Sequence, residues 1–322
     1  MAIEAYVISG FLGAGKTTLI QRMIKEVFQD RKIAIIENDF GETSMDAAIL
    51  RSKSVQVREL SSGCICCSLS GNFVEAMYQV IRDYLPDCIL IEPSGVGKLS
   101  DVIRACNHPK IMSLLNRIKA ITVVDVTTLQ KYCKNYGEFF IDQLRYADTI
   151  WLSHMEKSNL MISQIQGIIS GYTRASIVAA DKKGSIPEGI LKESIRMSIW
   201  QERGKMPGES RPKVKSGFGF RTNNGIRHTA KEVFDTCSIY SQAEFEKKQI
   251  KDMFSLLEEG EYGDIIRAKG IIKGKDGYVC VQYVPGKLTL EDVLTKGNSL
   301  SFIGHNLKKQ NLNLLFDGGS GQ

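Results

Sequence analysis

The sequence predicts an α/β fold, a doubly wound and mainly parallel sheet followed by a smaller α+β domain. Three observations predict it. Across the first ~200 residues, short β-branched runs alternate with amphipathic segments at helical spacing, the pattern of a parallel sheet covered by helices on both faces. A glycine-rich turn, Gly10-Phe11-Leu12-Gly13-Ala14-Gly15-Lys16-Thr17, stands between the first strand and the first helix. After Trp200 the alternation stops, and a different arrangement of strands follows a polar stretch.

Taken in order, strands are expected at Glu4–Ser9, Lys32–Glu37, Val55–Leu60, Asp87–Glu92, Arg117–Asp125, Thr149–Leu152 and Ser176–Ala180, each a run rich in β-branched residues. Between them, Thr17–Gln29, Leu69–Tyr84, Leu99–Ala105, Glu138–Tyr146 and Ser158–Ile169 carry apolar residues at helical spacing. Residues 201–231 are polar and basic, contain Pro207 and Pro212, and hold no sustained period, so they read as a linker. Beyond it come a strand at Val233–Tyr240, a helix at Gln242–Glu259, and strands at Ile265–Ile272, Tyr278–Val284 and Ser299–Ile303, a small α+β domain on an antiparallel sheet. The expected organisation is a nucleotide-type domain at 1–200, the linker at 201–231, the small domain at 232–316 and a flexible tail at 317–322.

Composition narrows the class. With 322 residues, 43% of them apolar and 24% charged, the chain is long enough for about two domains of roughly 150 residues. No apolar run reaches the ~18 residues of a membrane span, and the opening segment lacks the pattern of a secretory leader. Eight cysteines are too few for a disulfide scaffold, which points to a reducing cytosol. Cys88, Cys106, Cys133, Cys237 and Cys280 read as core or surface residues. The net charge is +6, and the excess falls in residues 181–322, which hold 23 basic and 18 acidic residues. Without a nucleic-acid motif this reads as a solvated surface, and nucleic acid is not an expected partner.

The glycine-rich turn fits G-x-x-x-x-G-K-[ST], the phosphate-binding loop. Its glycines let backbone N–H groups converge on phosphate oxygens, and the helix N-terminus adds a favourable dipole. Lys16 neutralises β/γ charge, and the Thr17 hydroxyl is placed to ligate Mg²⁺. The cradle is Gly13, Ala14, Gly15, Lys16, Thr17 and Thr18. Magnesium needs further oxygen ligands from nearby strand ends, and two segments offer them, Glu37-Asn38-Asp39-Phe40-Gly41-Glu42 after the second strand and Glu92-Pro93-Ser94-Gly95 after the run Cys88-Ile89-Leu90-Ile91. Gly95, three residues after Glu92, is positioned to bring its N–H to a terminal phosphate, so that loss of this phosphate releases the loop. Lys16, Asp39 and Glu92 are the expected catalytic residues.

A second segment, Gly63-Cys64-Ile65-Cys66-Cys67, places three thiols in four positions. Thiolates favour Zn²⁺, Cu⁺ and similar soft ions, and three sulfurs leave a fourth tetrahedral position for water, a carboxylate such as Glu42, or a histidine. An open site suits passing a metal on, because structural zinc sites are closed by four ligands. If the strand at Val55–Leu60 is parallel to the others, this loop emerges on the same sheet edge as the phosphates.

Taken together, GFLGAGKTT at 10–18, IENDFGE at 36–42, GCICC at 63–67 and IEPSG at 91–95 resemble the CobW-like branch of the metallochaperone P-loop GTPases, relatives of the urease and hydrogenase nickel-insertion GTPases. Arg267-Ala268-Lys269-Gly270 and Ser301-Phe302-Ile303-Gly304 resemble elements of that family's small C-terminal domain. The resemblance implies a P-loop GTPase that takes GTP with Mg²⁺ and binds Zn²⁺, or Co²⁺ or Ni²⁺, through Cys64, Cys66 and Cys67. It places Glu37 and Glu42 near that metal and Thr17, Asp39 and Glu92 around Mg²⁺. It also implies a client metalloprotein met through the C-terminal domain. One departure stands out. Where the family reads guanine with N-K-x-D, this chain has Ser153-His154-Met155-Glu156, so base contacts fall to Ser153, His154 and Glu156, and the choice between guanine and adenine stays open. The four histidines are scattered, which excludes a histidine-rich metal store. Two other readings remain: a small-molecule kinase on the same loop, and a metal sensor or buffer with little turnover.

Overall fold

The computed structural model describes residues 3–37, 55–59, 72–179, 188–196 and 233–316. The chain divides into two compact units, Met1–Arg227 and His228–Gln322. Among the described residues, the first unit holds seven strands: β1 (Ile3–Gly10), β2 (Ile33–Glu37), β3 (Val55–Glu59), β4 (Cys88–Glu92), β5 (Leu115–Asp125), β6 (Thr149–Ser153) and β7 (Ser176–Ala179). All pair in parallel, in the order β3-β2-β4-β1-β5-β6-β7. The expected doubly wound sheet is therefore present, with its parallel character complete. Because β1 lies between β4 and β5, strands leave it in both directions, and this reversal opens a crevice at the carboxyl ends.

Among the described residues, the helices of this unit are α1 (Lys16–Glu26), α2 (Asn72–Tyr84), α3 (Leu99–Cys106), α4 (Pro109–Met112), α5 (Leu129–Asn135), α6 (Gly137–Arg145), α7 (Ile162–Ser170) and α8 (Glu188–Arg196). Every residue of β2 and β4 is buried, the sign of a sheet covered on both faces. One face packs Tyr6, Ile8, Ile35, Leu90, Val123 and Trp151 against Leu19, Ile20 and Met23 of α1. Cys88 and Cys106 are wholly enclosed, and burial pushes both thiols up to about 12, so they are inert core residues.

The second unit is a five-stranded antiparallel sheet in the order β11-β10-β9-β12-β8, formed by β8 (Asp235–Tyr240), β9 (Asp264–Gly274), β10 (Gly277–Val284), β11 (Lys287–Val293) and β12 (Ser299–His305). Two helices, α9 (Lys247–Leu256) and α10 (Lys309–Phe316), contribute Ile250, Phe254, Leu312 and Phe316 to its core. The α9 helix starts later than its apolar pattern suggests, because the Glu246 amide donates to Gln249 Oε1 at 2.8 Å and fixes the first turn there. The β11 strand and the α10 helix are additions to the sequence reading, as are α4, α5 and α8.

Candidate nucleotide site

The phosphate-binding loop leaves β1 at the carboxyl edge and passes directly into α1. Gly13 and Gly15 take left-handed backbone angles, φ 77° and 98°, and Gly15 is the residue that opens the helix. A side chain at Gly15 would strain this entry, which is why the loop needs glycine there. Behind the loop, Phe11 is buried in an aromatic nest, its ring centroid 4.5 Å from Tyr132, 5.4 Å from Tyr136 and 6.0 Å from Phe140. These rings belong to α5, α6 and the residue between them, so two helices back the loop.

Lys16 is buried in the first turn of α1, Thr17 is half-buried, and Thr18 is exposed. The Thr17 hydroxyl lies 3.1 Å from both carboxylate oxygens of Glu92. The two oxygen ligands expected for Mg²⁺, 75 residues apart in the chain, are thus in direct contact. Hard oxygen donors of this kind beside a phosphate cradle suit Mg²⁺. The Glu92 side chain is nearly enclosed, as is that of Glu37, and the two residues are register partners on the adjacent strands β2 and β4. Register partners on neighbouring parallel strands share a face, so two carboxylates stand side by side, an arrangement that favours a nearby cation. Glu59 is the next partner along the same line on β3.

The loop after β4 is buried through Gly97. At Gly95, a Cβ would lie 2.6 Å from Leu12 Cδ2 and 2.8 Å from the Leu12 backbone nitrogen, so only glycine lets this loop touch the phosphate-binding loop. The α6 helix holds the other side. Its Gln143, wholly buried, donates from Nε2 to the carbonyls of Gly95 at 3.1 Å and Gly97 at 2.8 Å. Asp142 Oδ1 accepts from the Ser100 amide at 3.0 Å, and Glu138 accepts from Lys98 at 2.5 Å. Burial raises the Asp142 carboxyl above its ordinary range, against the lowering effect of the Ser100 bonds. Neither Asp142 nor Gln143 was an expected site residue. The available signal was a glutamine on the apolar stripe of an amphipathic helix, four residues after the buried Phe139.

At the end of β6, the Ser153 hydroxyl donates to the Ala14 carbonyl at 2.7 Å and ties this strand to the phosphate-binding loop. His154 adopts a left-handed angle, φ 56°, a conformation histidine tolerates better than most residues. Its ring nitrogens lie 3.9 Å from Asp125 Oδ2 and 3.7 Å from Glu156 Oε1. Asp125 in turn accepts from the Thr127 amide at 2.8 Å and hydroxyl at 2.6 Å. Asp39, Glu42, Cys64, Cys66 and Cys67 lie outside the described residues, as do the linker and the tail.

Comparison with known proteins agrees with this architecture. The family described as CobW/HypB/UreG, nucleotide-binding domain, matches residues 4–169, and that described as cobalamin synthesis protein cobW C-terminal domain matches residues 234–319. Similar proteins include a zinc chaperone CobW from Sinorhizobium sp, 28% identical over 240 residues, which are 70% of this chain and 65% of that protein. The zinc chaperone YjiA of Escherichia coli is 32% identical over 161 residues, 47% of this chain and 49% of its own. The chain thus spans less than two thirds of the length of either relative. Among solved structures, the Zn(II)-bound YjiA GTPase from E. coli aligns over 100% of both chains at 19% identity with a TM-score of 0.46.

Proposed function

Because the chain belongs to the CobW/HypB/UreG family and carries a CobW C-terminal domain, we propose that it is a metal-handling GTPase that couples Mg²⁺-dependent GTP hydrolysis to binding and delivery of a transition metal. The observation that carries this reading is the alignment of strand ends: β3, β2 and β4 run parallel to β1, with Glu59, Glu37 and Glu92 in register at the carboxyl edge. The β3 strand lies three positions from β1, about 14 Å at ~4.8 Å per strand. From Glu59 to Cys64 the chain reaches up to ~17 Å. The β3 strand therefore ends at the phosphate edge, and a chain length from Glu59 to Cys64 that exceeds the spacing to β2 supports a metal site shared with Glu37.

In this reading Lys16, Thr17 and the amides of Gly13–Thr18 hold the triphosphate, and Thr17, Glu92 and Asp39 hold Mg²⁺. When bound, Mg²⁺ supplies charge neutralisation at the β- and γ-phosphate oxygens. Lys16 and the loop amides stabilise the charge that grows as the terminal phosphoryl group leaves for water. Ser153 spends its hydroxyl on Ala14, so discrimination of the base falls mainly to His154 and Glu156. Cys64, Cys66 and Cys67 take the metal cargo, Zn²⁺ ahead of Co²⁺ or Ni²⁺, with Glu37 or Glu42 completing the set. Residues 232–316 meet the client metalloprotein across a linker at 201–231.

The test is a Zn²⁺ titration of the reduced, metal-free chain against a chromophoric chelator. It is run without nucleotide, with Mg²⁺-GDP, with a non-hydrolysable Mg²⁺-GTP analogue and with the ATP counterpart. A typical coupling of about 1–3 kcal/mol predicts a ~5- to 150-fold difference in metal affinity between diphosphate and triphosphate states. Equal affinity in all four conditions overturns the coupling. Zinc binding that survives the double change Cys66→Ser and Cys67→Ser overturns the thiol site.

A further inference from the structure

The loop from Pro93 to Lys98 contains two glycines, the residues whose backbone is hardest to hold in one conformation. One glutamine holds both. Gln143 directs its two amide hydrogens to the carbonyls of Gly95 and Gly97, and its own backbone carbonyl accepts from the Thr122 hydroxyl at 2.7 Å, which fixes α6 to β5. The orientation of the amide is settled by its partners, since carbonyl oxygens accept only from the NH₂ end. Its Oε1 is buried and has no hydrogen-bond partner among the described residues. A side chain kept for packing alone would be better apolar, because a buried acceptor without a donor destabilises the fold. The donors are what this position retains.

On its opposite side the same loop touches the phosphate-binding loop at Leu12, with no space for a Cβ on Gly95. Gly95 is thus held between Leu12 and Gln143, with its carbonyl aimed at α6. We propose that Gln143 is a positioning residue for the nucleotide reaction, holding Gly95 against the phosphate-binding loop so that the site distinguishes a triphosphate from a diphosphate. The proposal deepens the reading in which Gly95 meets the terminal phosphate. It assigns the selectivity of that contact to a side chain on a separate helix.

The experiment measures the affinity of the full chain for Mg²⁺-GDP and for a non-hydrolysable Mg²⁺-GTP analogue, together with the kcat and KM of hydrolysis. Wild type is compared with Gln143→Met and Gly95→Ala. Methionine keeps the volume and removes both donors; loss of the orphaned oxygen offsets part of the cost of leaving the two glycine carbonyls unpaired, so the thermal midpoint falls by several degrees while the fold is kept. The expected result is a ~10-fold loss of triphosphate affinity and a similar fall in kcat, with diphosphate affinity changed less than about twofold. Gly95→Ala, whose new methyl group presses on Leu12, shows the same selective loss. Equal weakening of both nucleotides in Gln143→Met overturns the proposal, since a merely structural role moves both together. If Gly95→Ala is selective and Gln143→Met matches wild type, Gln143 has no positioning role while the reading of Gly95 stands. If Gly95→Ala is not selective, the reading of Gly95 fails and the proposal fails with it.

Discussion

The two edges of the parallel sheet handle charge in opposite ways. At the carboxyl edge, Glu37 and Glu92 are register partners on adjacent strands, like charges brought together beside a phosphate cradle. At the amino edge, opposite charges meet. Glu4 accepts from Arg31 at 2.5 Å, from Arg117, and from the Tyr6 hydroxyl at 3.2 Å. Burial works to raise the Glu4 carboxyl, but the Arg31 hydrogen bond and the charges of Arg117 and Arg31 outweigh it and hold it below the ordinary range. This cluster lines a cavity of about 540 Å³ with Phe28, Lys192 and Ile195 among its walls. The difference teaches how to separate a site from a scaffold on one sheet. Where opposite charges of the chain meet, the polar groups brace the sheet, and where carboxylates align beside the phosphate cradle they offer the oxygen donors that a hard cation takes.

Glu92→Gln tests the carboxyl edge and carries the largest expected effect. The amide oxygen still accepts from Thr17, so local geometry survives while the charge offered to Mg²⁺ is lost. Hydrolysis is expected to fall by about 10²- to 10³-fold, roughly 3–4 kcal/mol of barrier. The near-isosteric change keeps the fold, so that loss of turnover is separable from loss of structure. Steady-state phosphate release and urea unfolding measure the two halves. A variant with wild-type turnover removes Glu92 from the catalytic set.

The corresponding change at the amino edge, Arg117→Met, is expected to act in reverse. It leaves Glu4 with Arg31 and Tyr6 alone, and because both partners of the broken pair are mostly buried it costs about 2 kcal/mol of stability. Turnover stays within about twofold of wild type. Urea unfolding and phosphate release on the same sample decide the matter. A loss of turnover without a loss of stability would make the amino-edge cluster functional.

How much of this was legible in the sequence follows from how local each feature is. The β1–loop–α1 unit is written in one continuous stretch, since glycines, lysine and threonine at fixed spacing define it. The Glu92 and Gly95 positions were readable because the first ends an apolar strand and the second follows it. The role of Gln143 was not, because both of its partners lie 46 and 48 residues away on another element. Ser153 was read toward the base, and only the fold brings its hydroxyl to Ala14, 139 residues distant. In the second unit, β11 escaped notice because it is an edge strand whose apolar positions, Leu288 and Leu290, are only half-buried. The short α5 helix carries just Leu129 and Tyr132 inward, too few for a visible period.

The smallest single step expected, about 1.4 kcal/mol for each pH unit, comes from Lys119, which extends the amino-edge cluster along β5 and pairs in register with Tyr6. It is 2% exposed, and burial first, then the charge of Arg117, bring its pKa down to about 7 from an ordinary 10.5. The sign follows from proton counting. Above about pH 10.5 the amine is neutral in both states and costs nothing. Between there and pH 7 the unfolded chain binds a proton that the fold does not, so stability rises with pH. Below pH 7 the fold carries the full cost of a buried ammonium. Lys119→Met removes this dependence, so its stability advantage over wild type shrinks by about 1.4 kcal/mol per pH unit from pH 7 to 9. Urea unfolding of both proteins at pH 7, 8 and 9 reads that slope directly. A difference that stays constant across the three pH values means that the buried amine keeps its proton, and that the amino-edge cluster neutralises Lys119 as completely as it does Glu4.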